Sequence, residues 1–304
     1  MTTTIIKWAL AALFLGSIAF VHRRGRVRLR FWRQLVDHSA FVAPVNVVMY
    51  AFSRVPAAPF LDLADFPELA PLQANWRTIR DEALALARAR EIKAALHDDD
   101  AGFNSFFKYG WKRFYLKWYG EDPGSATRRC PRTVELLRGI PCVKAALFAA
   151  LPPGGRLNLH RDPYAGSLRY HLGLVTSNDS RCWIEVDGRR YHWRDGEAVL
   201  FDETYLHEAR NDSDVDRLIL FCDVERPLKT RAARSFNRWF ARHVMSAAAS
   251  PNEAGDRTGA INRLFFVVGW LGRQRFRFKR HSPRLYQATR IALAALLLGW
   301  LVFG

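Results

Sequence analysis

Acidic residues are scarce in this chain: 29 aspartates and glutamates stand against 46 lysines and arginines, a formal charge of +17 over 304 residues. Such a balance suits an anionic partner, whether nucleic acid, a charged membrane or a phosphorylated substrate. Cysteine is scarce too. Cys130, Cys142, Cys182 and Cys222 are scattered with no CxxC pair. A zinc cage draws on closer pairs and a disulfide framework on more cysteines in a shorter chain, so reduced, buried or half-buried thiols remain. The chain has no GxSxG elbow, Walker-type loop or GxGxxG turn, which removes the usual signatures of serine hydrolases and nucleotide binders. Internal repeats and low-complexity stretches are also missing. With 49% hydrophobic and 13% aromatic residues, the chain is not a disordered polymer. Its length allows one domain of about 200–250 residues or two smaller ones.

Long apolar runs occur at both ends. Ile5–Val21 is apolar apart from Lys7. At ~1.5 Å per residue it reaches roughly 25 Å, close to a bilayer core of about 30 Å if Lys7 snorkels outward. No small-x-small cleavage site follows; Arg23, Arg24, Arg26, Arg28 and Arg30 follow instead, so the run reads as an anchor rather than a signal peptide. The second run, Ile291–Gly304, ends the chain and extends back through Ala288 to Arg290 at the interface. Arginines crowd the inner side of each run, which places residues 22–290 on the cytoplasmic face. The stretch Arg273–Arg284 interleaves arginine with phenylalanine; beside an apolar terminal run, a belt on anionic lipid is more economical than a nucleic-acid arm.

Between the ends, prolines at 44, 56, 59, 67 and 71 read as an irregular connector, with an apolar patch at Val45–Phe52 suited to a membrane surface. Trp76–Arg90 has helical apolar spacing. Phe103–Tyr119 is dense in aromatics and lysines, a core strand with exposed lysines or a wall facing substrate. The texture then changes to short β-like runs: Val143–Leu151, Ser167–Val175, Arg181–Val186, Arg189–Trp193, Ala198–Phe201 and Arg217–Val224. Pro152-Pro153-Gly154-Gly155 marks a turn and Val186-Asp187-Gly188-Arg189 a hairpin. Many short strands in so few residues predict an antiparallel sandwich or barrel.

His160 and Asp162 lie in this β region as a His-x-Asp pair, able to reach one metal from an extended chain, and His207 sits on a later strand. Two imidazoles and a carboxylate on one face of an octahedron leave sites open, the ligand pattern of non-haem Fe(II) oxygenases. Arg169 and His171 follow the first histidine and Arg217 the second at spacings that can line a pocket beyond the metal. An arginine fork there can grip the far carboxylate of a 2-oxo acid.

The stretch HRDPYAGSLRYHLGL (His160–Leu174) resembles the signature of the aspartyl/asparaginyl β-hydroxylase family. FDETYLHEARNDSDVDRLILFCDVERP (Phe201–Pro227) resembles that family's second signature. The likeness spans about Trp76–Pro227 and is nearest to the bacterial lipid A hydroxylases, which are anchored in the membrane at their ends. It implies a mainly β fold with flanking helices, a cupin-like double-stranded β-helix (jelly roll), with N- and C-terminal membrane helices. It implies Fe(II) on His160, Asp162 and His207, with 2-oxoglutarate and O2 as cosubstrates. Arg217 matches the arginine that pairs with the 2-oxoglutarate carboxylate, His171 a histidine that touches the cosubstrate, and Arg169 an arginine that shapes the site. Asp162 stands where the lipid branch offers a carboxylate and the animal peptidyl branch a glycine. Ala149 stands where the peptidyl branch often has a serine that contacts the cosubstrate. Gly110, Trp111 and Phe114 resemble an upstream element of the family.

The expected organisation is therefore an anchor with a basic segment at 1–33, a connector at 34–75, the oxygenase domain at 76–230, a basic amphipathic region at 231–287 and a second anchor at 288–304. The expected activity is hydroxylation of a lipid A acyl chain, or that of a related anionic lipid, at C2, at the cytoplasmic face of the bacterial inner membrane and without nucleic acid. A peptidyl aspartyl/asparaginyl hydroxylase and a non-catalytic lipid-binding membrane protein remain as alternatives. His97 and His192 read as surface or internally satisfied residues, Glu185 and Asp187 as hairpin residues, and one of Asp202, Glu203 and Glu208 as a partner orienting an imidazole.

Overall fold

The computed structural model describes residues 2–95 and 100–303, so His97 lies outside the described residues. Ten strands run in chain order: β1 Phe60–Leu61, β2 Lys112–Trp118, β3 Val143–Leu151, β4 Arg156–His160, β5 Ser167–Val175, β6 Cys182–Val186, β7 Arg189–His192, β8 Ala198–Phe201, β9 His207–Asn211 and β10 Arg217–Glu225. They form two antiparallel sheets, ordered β1-β8-β5-β10-β3-β2 and β4-β9-β6-β7. This is the double-stranded β-helix expected from the sequence. β3, β5 and β8 fall where the apolar runs predict them.

The large sheet is the middle layer, and period-two alternation sorts its residues. On β5, Leu168, Tyr170, Leu172 and Leu174 join the core under the helix Trp76–Arg88, through Ile79, Ala83 and Leu86. Leu218, Leu220, Cys222 and Val224 of β10 face the same way. The intervening Ile219 and Phe221 face the small sheet instead, beside Ile184, Val186 and Ala209. Burial on both faces explains why β5 and β10 read as near-continuous apolar runs. The same parity turns Arg169, His171, Arg217 and Asp223 towards the space between the sheets. At the β6–β7 hairpin, Asp187 (φ 50°) and Gly188 (φ 78°) supply the two left-handed residues of a tight turn.

The segment read as an irregular connector is more ordered than its prolines suggest. Pro44 sits in the first turn of a helix, Ala43–Ala51, where a missing N–H costs nothing. The Val45–Phe52 patch is divided: Met49 is buried against Ala165 and Leu228, whereas Ala51 and Phe52 are exposed. Trp76–Arg88 ends where Arg90 turns left-handed (φ 57°). The helix Thr2–Arg23 contains a stretch, Thr4–Arg23, long and apolar enough to cross a membrane, most of it not buried within the protein. The basic C-terminal region folds as helices Arg231–Phe240, Ala260–His281 and Pro283–Phe303.

Gly173 on β5 lies against the β7–β8 connection. A Cβ there would stand 2.1 Å from the Arg194 carbonyl oxygen, while its own backbone bonds Glu197 and Gly196. Gly173→Ala should lower stability by about 1–3 kcal/mol, as overpacking does; an unchanged chemical denaturation midpoint would show the connection yields freely.

Candidate metal centre

β4 and β9 pair so that His160 lies opposite His207. The two rings stand 4.2 Å apart, centroid to centroid. Each Nδ1 points at a carbonyl two residues back, at 2.6 Å to Asn158 O and 2.9 Å to Tyr205 O. A carbonyl only accepts, so each Nδ1 carries the proton and each Nε2 keeps a free lone pair. Asp162 follows in the turn after β4, its N–H donating to Glu203 O at 2.9 Å. One donor atom from each of His160, Asp162 and His207 lies within 4.8 Å of the others. Two neutral imidazoles and a carboxylate fit a divalent metal with open sites.

Arg169 fixes the carboxylate. Its guanidinium bonds Asp162 at 2.8 Å, bonds Glu203, and reaches Asp223 at 3.1 Å, lying over the Phe221 ring. The Asp223–Arg169 contact is a cross-strand pair between β10 and β5, and Tyr119 donates to Asp223 as well. Burial pushes the Asp162 carboxyl up, but Arg169, His207 and His160 outweigh it and hold it below its ordinary value. Burial pushes the Asp223 carboxyl up. Arg169 was expected among the residues that take the cosubstrate. In the structure its guanidinium stands behind Asp162 and faces three carboxylates.

Arg217 is the opposite case. It is 2% exposed, stacks over Trp193 at 4.6 Å, and forms no ion pair among the described residues; Nε and one Nη have no hydrogen-bond partner. His171, 4% exposed, packs against Phe221 and Phe201 with both ring nitrogens unpartnered. Burial pulls the Arg217 guanidinium down to about 10, and burial with Arg169 and Arg217 pulls His171 well below its ordinary value. A buried cation without an anion is costly. Arg217 and His171 line the same cavity as the three metal-ligand candidates, so an anionic ligand reaching from that cluster would answer the charge. The donor set thus fits both a divalent metal and a small carboxylate.

The expected imidazole orienter among Asp202, Glu203 and Glu208 is absent. Asp202 pairs with Arg24 and Arg226, Glu203 with Arg169 and Ser167, Glu208 with Arg210, and backbone carbonyls orient the rings instead. Glu185 pairs with Arg190 on the hairpin face, whereas Asp187 is buried and accepts the N–H groups of Arg26 and Val27. His192 is half-buried with an unpartnered Nδ1. Ala149 packs in the inter-sheet core.

Of the two readings of the aromatic stretch, the wall applies at Phe106, edge-on to His160 at 4.7 Å, and at Trp111, which lines the cavity beside it, while Lys112–Trp118 forms a strand. Sequence reasoning missed other contributors. The loop carrying Asp162 is also braced from the N-terminal side. Arg161 donates to Val21 O at 2.8 Å, His38 Nε2 to Arg161 O at 2.8 Å, and Asn46 to Pro163 O at 2.7 Å while accepting from Ala165 N.

A family profile described as Aspartyl/Asparaginyl beta-hydroxylase matches residues 73–227. An ornithine lipid ester-linked acyl 2-hydroxylase from Rhizobium tropici is 32% identical over 195 residues, 64% of this chain and 69% of that one. A human aspartyl/asparaginyl beta-hydroxylase is 30% identical over 168 residues, 54% of this chain but 22% of that one. Among solved structures, a Pseudomonas putida prolyl-4-hydroxylase aligns with 50% of this chain and 86% of its own, at 16% identity and a TM-score of 0.34.

Two outcomes follow from this geometry. Asn46→Ala frees the Pro163 carbonyl and should weaken divalent-metal binding about 10–100-fold, as loss of a supporting bond does at metal sites; unchanged affinity by calorimetry would remove Asn46 from the brace. Burial, with His160 beside it, pushes His207 down to about 3 from its ordinary 6.5. The unfolded chain binds that proton near pH 6.5 and the folded one does not, so stability present above 6.5 is lost as pH falls towards 3. Denaturant midpoints of metal-free protein should fall across that window, and less steeply in His207→Gln.

Proposed function

The chain belongs to the aspartyl/asparaginyl β-hydroxylase family, and from that premise we propose that it is an Fe(II)- and 2-oxoglutarate-dependent hydroxylase of a membrane lipid. The substrate in this reading is an acyl chain of lipid A or a related anionic acylated lipid, hydroxylated at C2 from the cytoplasmic face of the inner membrane. The observation that carries it is the clustering of His160, Asp162 and His207 in one cavity with the unpaired Arg217. In this reading the two Nε2 atoms and Asp162 hold iron, while Arg217 and His171 hold the far carboxylate of 2-oxoglutarate. The chemistry these groups would supply when bound is insertion of one atom of O2 into an unactivated C–H bond, with the 2-oxo acid decarboxylated to succinate and CO2.

The protein's own residues bind, orient and keep water out. Arg169 keeps the Asp162 carboxylate ionised and aimed. The Asn158 and Tyr205 carbonyls hold both imidazoles in the ligating tautomer. Phe201, Phe221 and Trp193 close the far end around His171. A lipid rather than a peptide is supported by three features: the apolar helix Thr4–Arg23, the +17 charge, and a relative named for acyl 2-hydroxylation. The same features support an anchor in the inner membrane, with the C-terminal run as a second one and the body on the cytoplasmic side.

Expression in a Gram-negative host lacking lipid A hydroxylation tests this directly. Lipid A, or another acylated lipid, should gain one oxygen by mass spectrometry, and the gain should vanish in His160→Ala and Asp162→Ala. Oxygen on protein instead of lipid would move the assignment to a peptidyl hydroxylase; no iron-dependent succinate at all would remove the oxygenase. Arg217→Met removes a charge-assisted pair worth about 1.5–3 kcal/mol, so the KM for 2-oxoglutarate should rise by roughly ten- to a hundredfold with kcat less affected.

A further inference from the structure

A second cavity, a groove of about 530 Å³, opens at the C-terminal end of the helix Thr2–Arg23 and shares no lining residue with the metal centre. Its size lies within the range that holds small ligands, ~300–1,000 Å³. One side is apolar: Phe20 from the membrane helix, Val47 from the helix Ala43–Ala51, and Val55 and Ala57 from the loop beyond. The other side is cationic. Arg24 and Arg226 line it and both donate to Asp202, at 2.6 and 2.7 Å, so one carboxylate answers two guanidinium groups. Arg23, exposed at the rim, has no carboxylate within ion-pair distance among the described residues. Between the two sides stands Tyr50, its ring beneath Arg24 at 3.9 Å and its hydroxyl buried without a hydrogen-bond partner.

A free phosphate would have no use for the apolar wall, and a neutral hydrocarbon would leave the charge surplus and the Tyr50 hydroxyl unanswered. An amphiphile with an anionic head meets both. The position agrees, because a membrane helix ends at the groove. The chain that follows exposes Trp32 (78%), Val36 (77%) and Phe41 (75%) among the exposed Arg28, Arg30 and Arg33, the composition of an interfacial segment. We propose that this groove holds one anionic phospholipid of the surrounding bilayer, its phosphate at Arg23 and the Tyr50 hydroxyl and an acyl chain along Phe20 and Val47, as a site separate from the hydroxylation centre. The proposal rests on the membrane-helix reading and is independent of the iron chemistry.

The test uses the full chain in lipid nanodiscs of phosphatidylglycerol or of phosphatidylcholine, followed by native mass spectrometry. Wild type should carry one phosphatidylglycerol per chain and prefer it to phosphatidylcholine. Arg23→Gln should cut that preference about fivefold, the effect of one arginine near a charged head group (~1 kcal/mol). Ala57→Trp, which fills the groove, should abolish retention, with a wild-type thermal midpoint showing that it folds. Equal retention of both lipids, retention by Ala57→Trp as strong as wild type, or release by millimolar inorganic phosphate would each overturn the proposal. Alkaline carbonate extraction separates the two readings: a chain that leaves the membrane sinks the membrane helix, whereas a chain that stays but carries no lipid sinks the groove alone.

Discussion

The space between the two sheets contains more charge than a protein interior tolerates unless each group is answered, and that constraint orders the structure around it. Arg169 meets Asp162, Glu203 and Asp223 at once. Removing any buried partner of such a group costs several kcal/mol, because the remaining charge is stranded. Each carboxylate is also tied elsewhere: Asp223 to Tyr119, Glu203 to Ser167, and Asp162 through its N–H to the Glu203 carbonyl. The guanidinium therefore joins the turn after β4, the turn before β9, and strands β5 and β10. Asp162 sits on the first of these, His160 and His207 on the adjoining ends of β4 and β9, and His171 and Arg217 on β5 and β10.

Beside that network, Arg217 and His171 stand out because no carboxylate among the described residues pairs with Arg217 and both ring nitrogens of His171 lack a hydrogen-bond partner. Both share the parity of Arg169 on their strands, so the pleat that brings Arg169 to its carboxylates brings them to the same cavity. One arginine is neutralised by the protein and the other is left for a ligand. The difference is local: Arg169 lies at the end of the cavity where Asp162, Glu203 and Asp223 gather, whereas Arg217 meets the indole of Trp193. Spacing along the chain could place both arginines at the site. It could not divide their tasks, because the division depends on which acidic residues the turns after β4 and β8 and the neighbouring strand β10 deliver.

The same limit explains what was legible in the sequence. β3, β5 and β8 are apolar runs that only a buried strand accounts for. β4 (RLNLH) and β9 (HEARN) are short and polar, and their pairing is visible only once His160 and His207 face each other. The His-x-Asp motif was therefore legible as chemistry, but not the backbone carbonyls that fix its tautomers. Asp223 offered a signal that went unused: a lone acid in the apolar strand LILFCDV, with the parity of Arg217. Asn46 offered none, since an asparagine among prolines reads as loop rather than as a residue bonded to the metal turn.

That brace bears on where the functional unit begins. The family match starts at residue 73, yet the turn carrying Asp162 is bonded from Val21, His38 and Asn46. The floor beneath it is bonded too, since Arg24 reaches Asp202 and Thr204, and Asp187 accepts Arg26 and Val27. Several of these bonds involve buried or charged groups, the kind that are expensive to break. The end of the apolar helix is thus built into the rim of the metal centre rather than tethered to it. A loose tether would leave the cavity free to turn relative to the helix. Because Arg161, the residue before Asp162, is bonded to the last turns of that helix through the Val21 carbonyl, the helix end and the metal-ligand candidates are held as one unit.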